Sequence, residues 1–206
     1  MIDVAAPRLL YIDSTMYDNQ WGWFGLLPLS SETVLFLRNT SLRTDHTEGS
    51  TGGYATRHMI FYGCWTEASW SSFYDVLSQF HHLETLVFLL TDLVEFKTDL
   101  ASVLIALPPS LRHVHILEHE FNIADGRSNA PHVLPHLESF TYTLLSSSET
   151  PADEGNDGPG ANKLAEVQQA VASSIVAPNC TFEFLRSTRS PEDAVADALA
   201  ALKLEL

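Results

Sequence analysis

At 206 residues and 45% hydrophobic composition, the chain can build one domain with a large core, and it is too apolar to stay disordered over most of its length. A formal net charge of −15 would repel nucleic-acid backbones and anionic membrane surfaces, leaving two readings, a solubility device or a basic partner surface. No window approaches the ~18 apolar residues of a membrane span, and the opening Met1-Ile2-Asp3-Val4 has neither the basic nor the apolar region of a signal peptide.

Taken in order, the chain shows apolar residues in pairs two apart, the spacing that places both side chains on one side of a strand. Leu10 and Ile12 form the first pair, in a segment that is already strand-like from Pro7. Trp21, Trp23 and Phe24 follow, read as packing residues rather than as an exposed anchor. Val34 and Phe36 give the second pair and Met59 and Phe61 the third, separated by a polar, Gly-rich loop over 43–56. Trp70, Phe73, Tyr74, Leu77 and Phe80 recur at three and four, which predicts a helix over 69–80 with Ser69 as N-cap.

The next stretch, His82-Leu83-Glu84-Thr85-Leu86-Val87-Phe88-Leu89-Leu90-Thr91-Asp92-Leu93, is the most regular. Leu83, Leu86, Phe88, Thr91 and Leu93 occupy positions 1, 4, 6, 9 and 11 of the leucine-rich-repeat pattern, with Thr in place of Asn or Cys. The pattern returns at Leu111, Val114 and Ile116, and again at Leu137, Phe140 and Tyr142. Between these, Leu100, Val103, Leu104 and Leu107 predict a helix over 98–107, stopped by Pro108-Pro109. Residues 145–161, rich in Ser, Gly, Asp and Glu, read as a disordered acidic insertion. A helix over 162–176 follows, then a last pair at Phe182 and Phe184. Ser190-Pro191-Glu192-Asp193 combines an N-cap, a Pro at the first helical position and two early acids. It opens a helix over 190–204 with Val195, Leu199 and Leu202 on one face, expected to cap the C-terminal end.

Counting along position 4 through Leu10, Val34, Met59, Leu86, Val114, Phe140 and Phe182 gives steps of 24, 25, 27, 28, 26 and 42 residues. Five of the six fall within the ~20–29 residues of leucine-rich repeats, and the sixth contains the insertion. The fold class expected is therefore α/β, a leucine-rich-repeat solenoid (horseshoe) with one parallel sheet on its concave side and helices on its convex side. Residues 1–206 make a single domain of six or seven irregular repeats. Cys64 and Cys180 would lie four strands apart, roughly 19 Å at ~4.8 Å per strand, too far for a disulfide. That implies a reducing compartment, cytoplasmic or nuclear.

The phrases Phe80-His81-His82-Leu83-Glu84-Thr85-Leu86, Leu107-Pro108-Pro109-Ser110-Leu111-Arg112-His113-Val114 and Leu134-Pro135-His136-Leu137-Glu138-Ser139-Phe140 resemble the repeats of fungal F-box-like proteins. In that family an F-box precedes the repeats and binds the Skp adaptor of a cullin ubiquitin ligase, while the repeats hold the substrate. The resemblance implies a substrate-recognition role, with a Skp-type adaptor as partner if an F-box lies outside this chain; none is found within it.

Positions 3, 5 and 7 alternate outward with core positions 4 and 6. They place Tyr11, Leu35, Tyr62, Val87, His113, His115 and Thr141 on one strip, rich in aromatic and apolar residues, expected to bind a protein partner. The competing account is that a flanking segment covers the apolar members. His113 and His115, about 7 Å apart on one strand face, suggest a metal or enzymatic alternative. A zinc site needs at least three ligands, however, and no Cys-x-x-Cys, His-Glu-x-x-His, Walker loop or Gly-x-Ser-x-Gly is found. The expectation is a non-catalytic interaction module without metal or cofactor. A truncated fragment without independent function is the remaining alternative.

Overall fold

The computed structural model describes residues 9–13, 33–38, 55–62, 77, 80–91, 100–119, 131–145 and 159–201. The fold is α/β. Seven strands form one wholly parallel sheet: β1 (Leu9–Asp13), β2 (Val34–Arg38), β3 (His58–Tyr62), β4 (Thr85–Thr91), β5 (His113–His119), β7 (Ser139–Leu145) and β9 (Thr181–Ser187). They lie side by side in chain order. Every paired segment read as an apolar strand is a strand of this sheet. Two short strands, β6 (His132–Val133) and β8 (Ile175–Val176), pair parallel as a separate two-stranded sheet. Three helices complete the described elements: α1 (Leu100–Ile105), α2 (Pro159–Ser174) and α3 (Pro191–Ala201).

One face of the sheet carries the main core. Leu35, Leu37, Met59, Phe61, Leu86, Phe88, Val114, Ile116, Phe140 and Tyr142 are all buried there. They pack against Leu100, Val103 and Leu104 of α1 and Val167 and Val171 of α2, with Leu107, Leu134 and Leu137 from the connections. Phe61 meets Phe88 edge-on, centroids 5.7 Å apart. Parallel strands need a crossover between them, and the described parts of these crossovers, α1 and α2 among them, pack on this face.

A repeated backbone device sets the register. The carbonyl of Arg57 accepts from the N–H groups of both Glu84 and Thr85. The Glu84 carbonyl does the same for Arg112 and His113, and the Arg112 carbonyl for Glu138 and Ser139. The Glu138 carbonyl accepts from Thr181. The starts of β4, β5, β7 and β9 are thus each tied to the residue just before the neighbouring strand, which satisfies N–H groups at the head of the ladder.

The phase of β2 differs from the sequence expectation. Leu35 is the register partner of Met59, which partners Leu86. Leu35 therefore belongs to the core row, and Val34 and Phe36 to the opposite face. The aligned steps become Leu10 to Leu35, 25 residues, and Leu35 to Met59, 24. The four apolar residues of Val34-Leu35-Phe36-Leu37 carry no polar alternation that could fix the phase. α1 lies within the helix expected over 98–107. α2 begins at Pro159, inside the stretch read as insertion, and gives way to β8 at Ile175; Leu145 closes β7. Leu77, Phe80 and Thr56 are buried, while the rest of the helix expected over 69–80, residues 43–54 of the expected loop, Trp21, Trp23, Phe24, Cys64 and residues 146–158 lie outside the described residues.

Candidate functional site

The second face of the sheet carries the strip. Register runs Tyr11, Phe36, Ile60, Val87, His115, Thr141 and Glu183 across seven strands, one residue from each. Tyr11, Val87, His115 and Thr141 thus share one row, as expected. His113 lies in the row on its N-terminal side, between Thr85 and Ser139. Tyr62 lies in the row on the C-terminal side, opposite Leu89. Tyr11's side chain lies outside the described residues. Leu35 is the exception: it is fully buried on the core face, so it cannot belong to this strip.

The strip is not open along its length. Ala194, Val195, Ala198 and Leu199 of α3 pack into a second apolar cluster with Val34, Ile60, Val87, Leu89, Leu117 and Leu145, and Phe36 and Tyr62 border it. The helix rests on β4 and β5 instead of closing the end of the sheet, where it was expected. Val87 keeps its outward direction but has 0% of its surface exposed. The N-cap, the early acids, Val195 and Leu199 act as expected, and Leu202 lies outside the described residues. Ser190 Oγ accepts from the Asp193 N–H at 3.2 Å as the N-cap, and Glu192 and Asp193 occupy the first turn. Arg189 bridges to Asp197 at 2.9 Å.

At the border of the covered zone, Tyr62 Oη donates to a Glu192 carboxylate oxygen. The Tyr62 ring stacks on Phe36, centroids 6.5 Å apart, and the Arg38 guanidinium lies 4.9 Å from its centre. Tyr62 is therefore engaged with α3 rather than standing free as an anchor.

Beyond the helix, toward β7 and β9, the face is more accessible. Thr141 is half-buried, and Thr181, Glu183 and Leu185 are exposed. Leu185 exposes 46% of its surface, and Phe182, on the core side of the same strand, 38%. The two histidines sit between the zones. His113 Nδ1 shares a hydrogen bond with Ser139 Oγ at 2.9 Å, and its Nε2 lies 3.9 Å from Glu138 Oε2. His115 Nε2 shares one with Thr143 Oγ1 at 2.9 Å. Burial pushes the His115 imidazole down to about 4 and also lowers His58. Both ring edges engage neighbouring hydroxyls, and no three His, Cys, Asp or Glu converge on a cation position among the described residues.

A separate open groove of about 530 Å³ runs along the starts of β4, β5 and β7. Arg57, His81, His82, Glu84, Ser110, Arg112, His136, Glu138 and Asn179 line it. Its charges alternate at equivalent turn positions and pair internally: Arg57 lies 3.5 Å from Glu84, and Arg112 binds Glu138. The Arg112 hydrogen bond holds the Glu138 carboxyl below the usual carboxylate range. With its cations engaged, the groove offers little unspent charge to a ligand.

Ile60, Val87 and Leu89 answer to the competing account of a flanking segment that covers the strip, whereas Val34, Leu117 and Leu145 were not read as covered members. The available signal was the match between an apolar outward strip and the alanine-rich stripe of the last helix. No family model matches the chain, and no curated protein or solved structure does either. Among the described residues no helix is long and apolar enough to cross a membrane.

Proposed function

We propose that the chain is a leucine-rich-repeat horseshoe acting as a non-catalytic protein-interaction module, its concave face being the second face of the sheet. The observation that carries this reading is the chain-order, in-register parallel sheet, with strand starts tied by the same carbonyl device from Arg57 to Glu138. Repeats stacked in this way present an extended binding surface. The partner docks on the accessible sector, where Thr141, Glu183 and Leu185 lie together on neighbouring strands, with His113 and His115 at its inner border. The fold supplies scaffold and surface, and function lives in that surface.

The resemblance to fungal F-box-like repeats extends the proposal. The partner is then a substrate of a ubiquitin-ligase adaptor, with a Skp-type protein bound through an F-box outside this chain. A cytoplasmic or nuclear setting goes with this reading, and the free thiol of Cys180 is compatible with a reducing compartment.

Affinity capture from a cell extract, followed by mass spectrometry, tests the proposal. A captured protein should bind the purified chain at least tenfold more weakly after Thr141→Arg or Leu185→Asp, with the unfolding transition retained. Substitutions within 146–158 should leave capture unchanged. Capture that survives both face substitutions but is lost with changes in 146–158 would place the binding surface elsewhere.

A further inference from the structure

β9 ends the sheet among the described strands. None of its residues is buried, whereas β7 beside it buries Phe140, Tyr142, Thr143 and Leu145. Phe182 exposes 38% of its surface and Leu185 46%, one on each face of the strand. An open strand edge is a template for another strand. The usual obstructions are missing here. β9 contains no proline and no lysine, and it keeps register with β7 over its whole length, without a bulge.

The backbone bonds decide which groups that edge presents. Thr181 donates its N–H to the Glu138 carbonyl, just before β7, at 2.9 Å. Main-chain groups of successive residues in a strand point to opposite sides. Thr181, Glu183, Leu185 and Ser187 therefore direct theirs toward β7, and Phe182, Phe184 and Arg186 direct theirs away from it.

An isologous contact uses the same patch on both partners, so it closes at two copies. For two β9 edges paired antiparallel, the registers near the strand centre are not equal. With the two-fold axis at Phe184, Phe182 of one copy stands opposite Arg186 of the other, and Phe184 opposite Phe184. All the outward-facing residues then form hydrogen-bonded pairs, about six main-chain bonds in all. An axis at Glu183 sets two carboxylates against each other and pairs Arg186 with Cys180, before the strand begins. An axis at Leu185 pairs Phe182 with Thr188, after it ends. Of these registers, the one at Phe184 gives the exposed Phe182 ring a cation as its cross-strand neighbour.

We propose that the β9 edge is a self-association surface, on which a second copy of this chain docks antiparallel about a two-fold axis at Phe184 and extends the sheet across both copies. The second faces of the two sheets then run on continuously, so the open sector at Thr141, Glu183 and Leu185 meets its counterpart across the axis. The inference goes beyond the partner-binding reading and does not depend on it. A net charge of −15 on each copy opposes their approach. The pairing therefore relies on short-range edge contacts, and added salt tightens it by screening the repulsion.

Light scattering of the full chain over a concentration series should show a monomer–dimer equilibrium that shifts toward dimer as salt is raised. A chain that stays monomeric up to its solubility limit, or a dimer that salt dissociates, overturns the proposal. Residue-resolved hydrogen exchange on the same series should protect the Phe182, Phe184 and Arg186 amides as dimer accumulates. The Glu183 and Leu185 amides, already facing β7, should not change. A dimer without this alternating pattern overturns the edge as its interface. Arg186→Pro removes an outward N–H and puts the ring in its place, a change that edge strands tolerate. It should weaken dimerisation at least tenfold with the unfolding transition retained, and dimerisation at parental affinity overturns the pairing. If that variant does not fold, the exchange pattern of the parent decides. Thr141→Arg lies one strand in from the edge, so it should weaken partner capture and leave dimerisation unchanged, which keeps the failure of either reading distinct from that of the other.

Discussion

Glu118, fully buried on the core side of β5, is ion-paired with Lys163 of α2. The pair ties the sheet to its covering helix at the C-terminal end of the strand. Two charges removed from water are tolerated only when they satisfy each other, and stripping one partner leaves the other exposed to the full desolvation cost.

Lys163→Met should therefore destabilise the protein by about 3–5 kcal/mol. The double substitution Glu118→Leu with Lys163→Met should recover most of that loss, because no buried charge remains. Chemical denaturation of the three variants and the parent checks both values. Additive losses would show that the two side chains do not act as a pair.

Core and surface positions on the sheet should separate cleanly. Leu86→Ala opens a cavity in the main core and should cost about 2–5 kcal/mol. Leu35→Ala should fall in the same range, since Leu35 shares its core. Glu183→Ala, exposed on the opposite face, should stay within about 0.5 kcal/mol. Denaturation midpoints at constant slope give the ranking, and a Leu35 cost as small as that of Glu183 would reverse the β2 phase.

Acid should weaken the fold through His115. Its imidazole titrates at about 4 in the folded chain and near the ordinary 6.5 when unfolded, so the unfolded state binds the extra proton first. The contribution of His115 is complete above about pH 6.5, declines as pH falls toward 4, and is spent below that. The decline is at most roughly 3 kcal/mol, with His58 adding in the same direction. His115→Gln should flatten the pH 4–6.5 slope of the unfolding free energy; an unchanged slope would assign it to other groups.

Cys180 should be chemically quiet. Burial raises its thiol to about 11, which leaves almost no thiolate at pH 8. Alkylation of the native chain, located by peptide mapping, should be far slower at Cys180 than after denaturation.

Much of this architecture was legible in the sequence because the apolar pairs recur at similar intervals and so check one another. Met59 and Phe61, Leu86 and Phe88, Val114 and Ile116, and Phe140 and Tyr142 each fix a strand and its inward face, and neighbours cross-check one another. At β2 that check was loose. A run of four apolar residues buries both faces, and a one-residue shift left the repeat length plausible. The docking of α3 was illegible for another reason. Its N-cap and stripe are local signals, whereas the choice between capping the sheet end and lying on β4 and β5 depends on which apolar surface is left uncovered. No single segment encodes that choice. It follows from Ile60, Val87 and Leu89 standing outward on separate strands, far apart in the chain.

The turn carbonyls of Arg57, Glu84, Arg112 and Glu138 carry a consequence for how such a chain can change over time. Alignment between neighbouring strands is dictated at the point where each begins, so the length of the excursion separating them is free to drift. Ser139 and Thr181 are register partners although 42 residues apart, and they meet as squarely as Thr85 and His113, which are 28 apart. Insertions and deletions between strands should therefore be tolerated individually, one connection at a time, without propagating along the sheet. The short phrases that open each strand form a fixed grammar, and the intervals between them are where a lineage can write new surface.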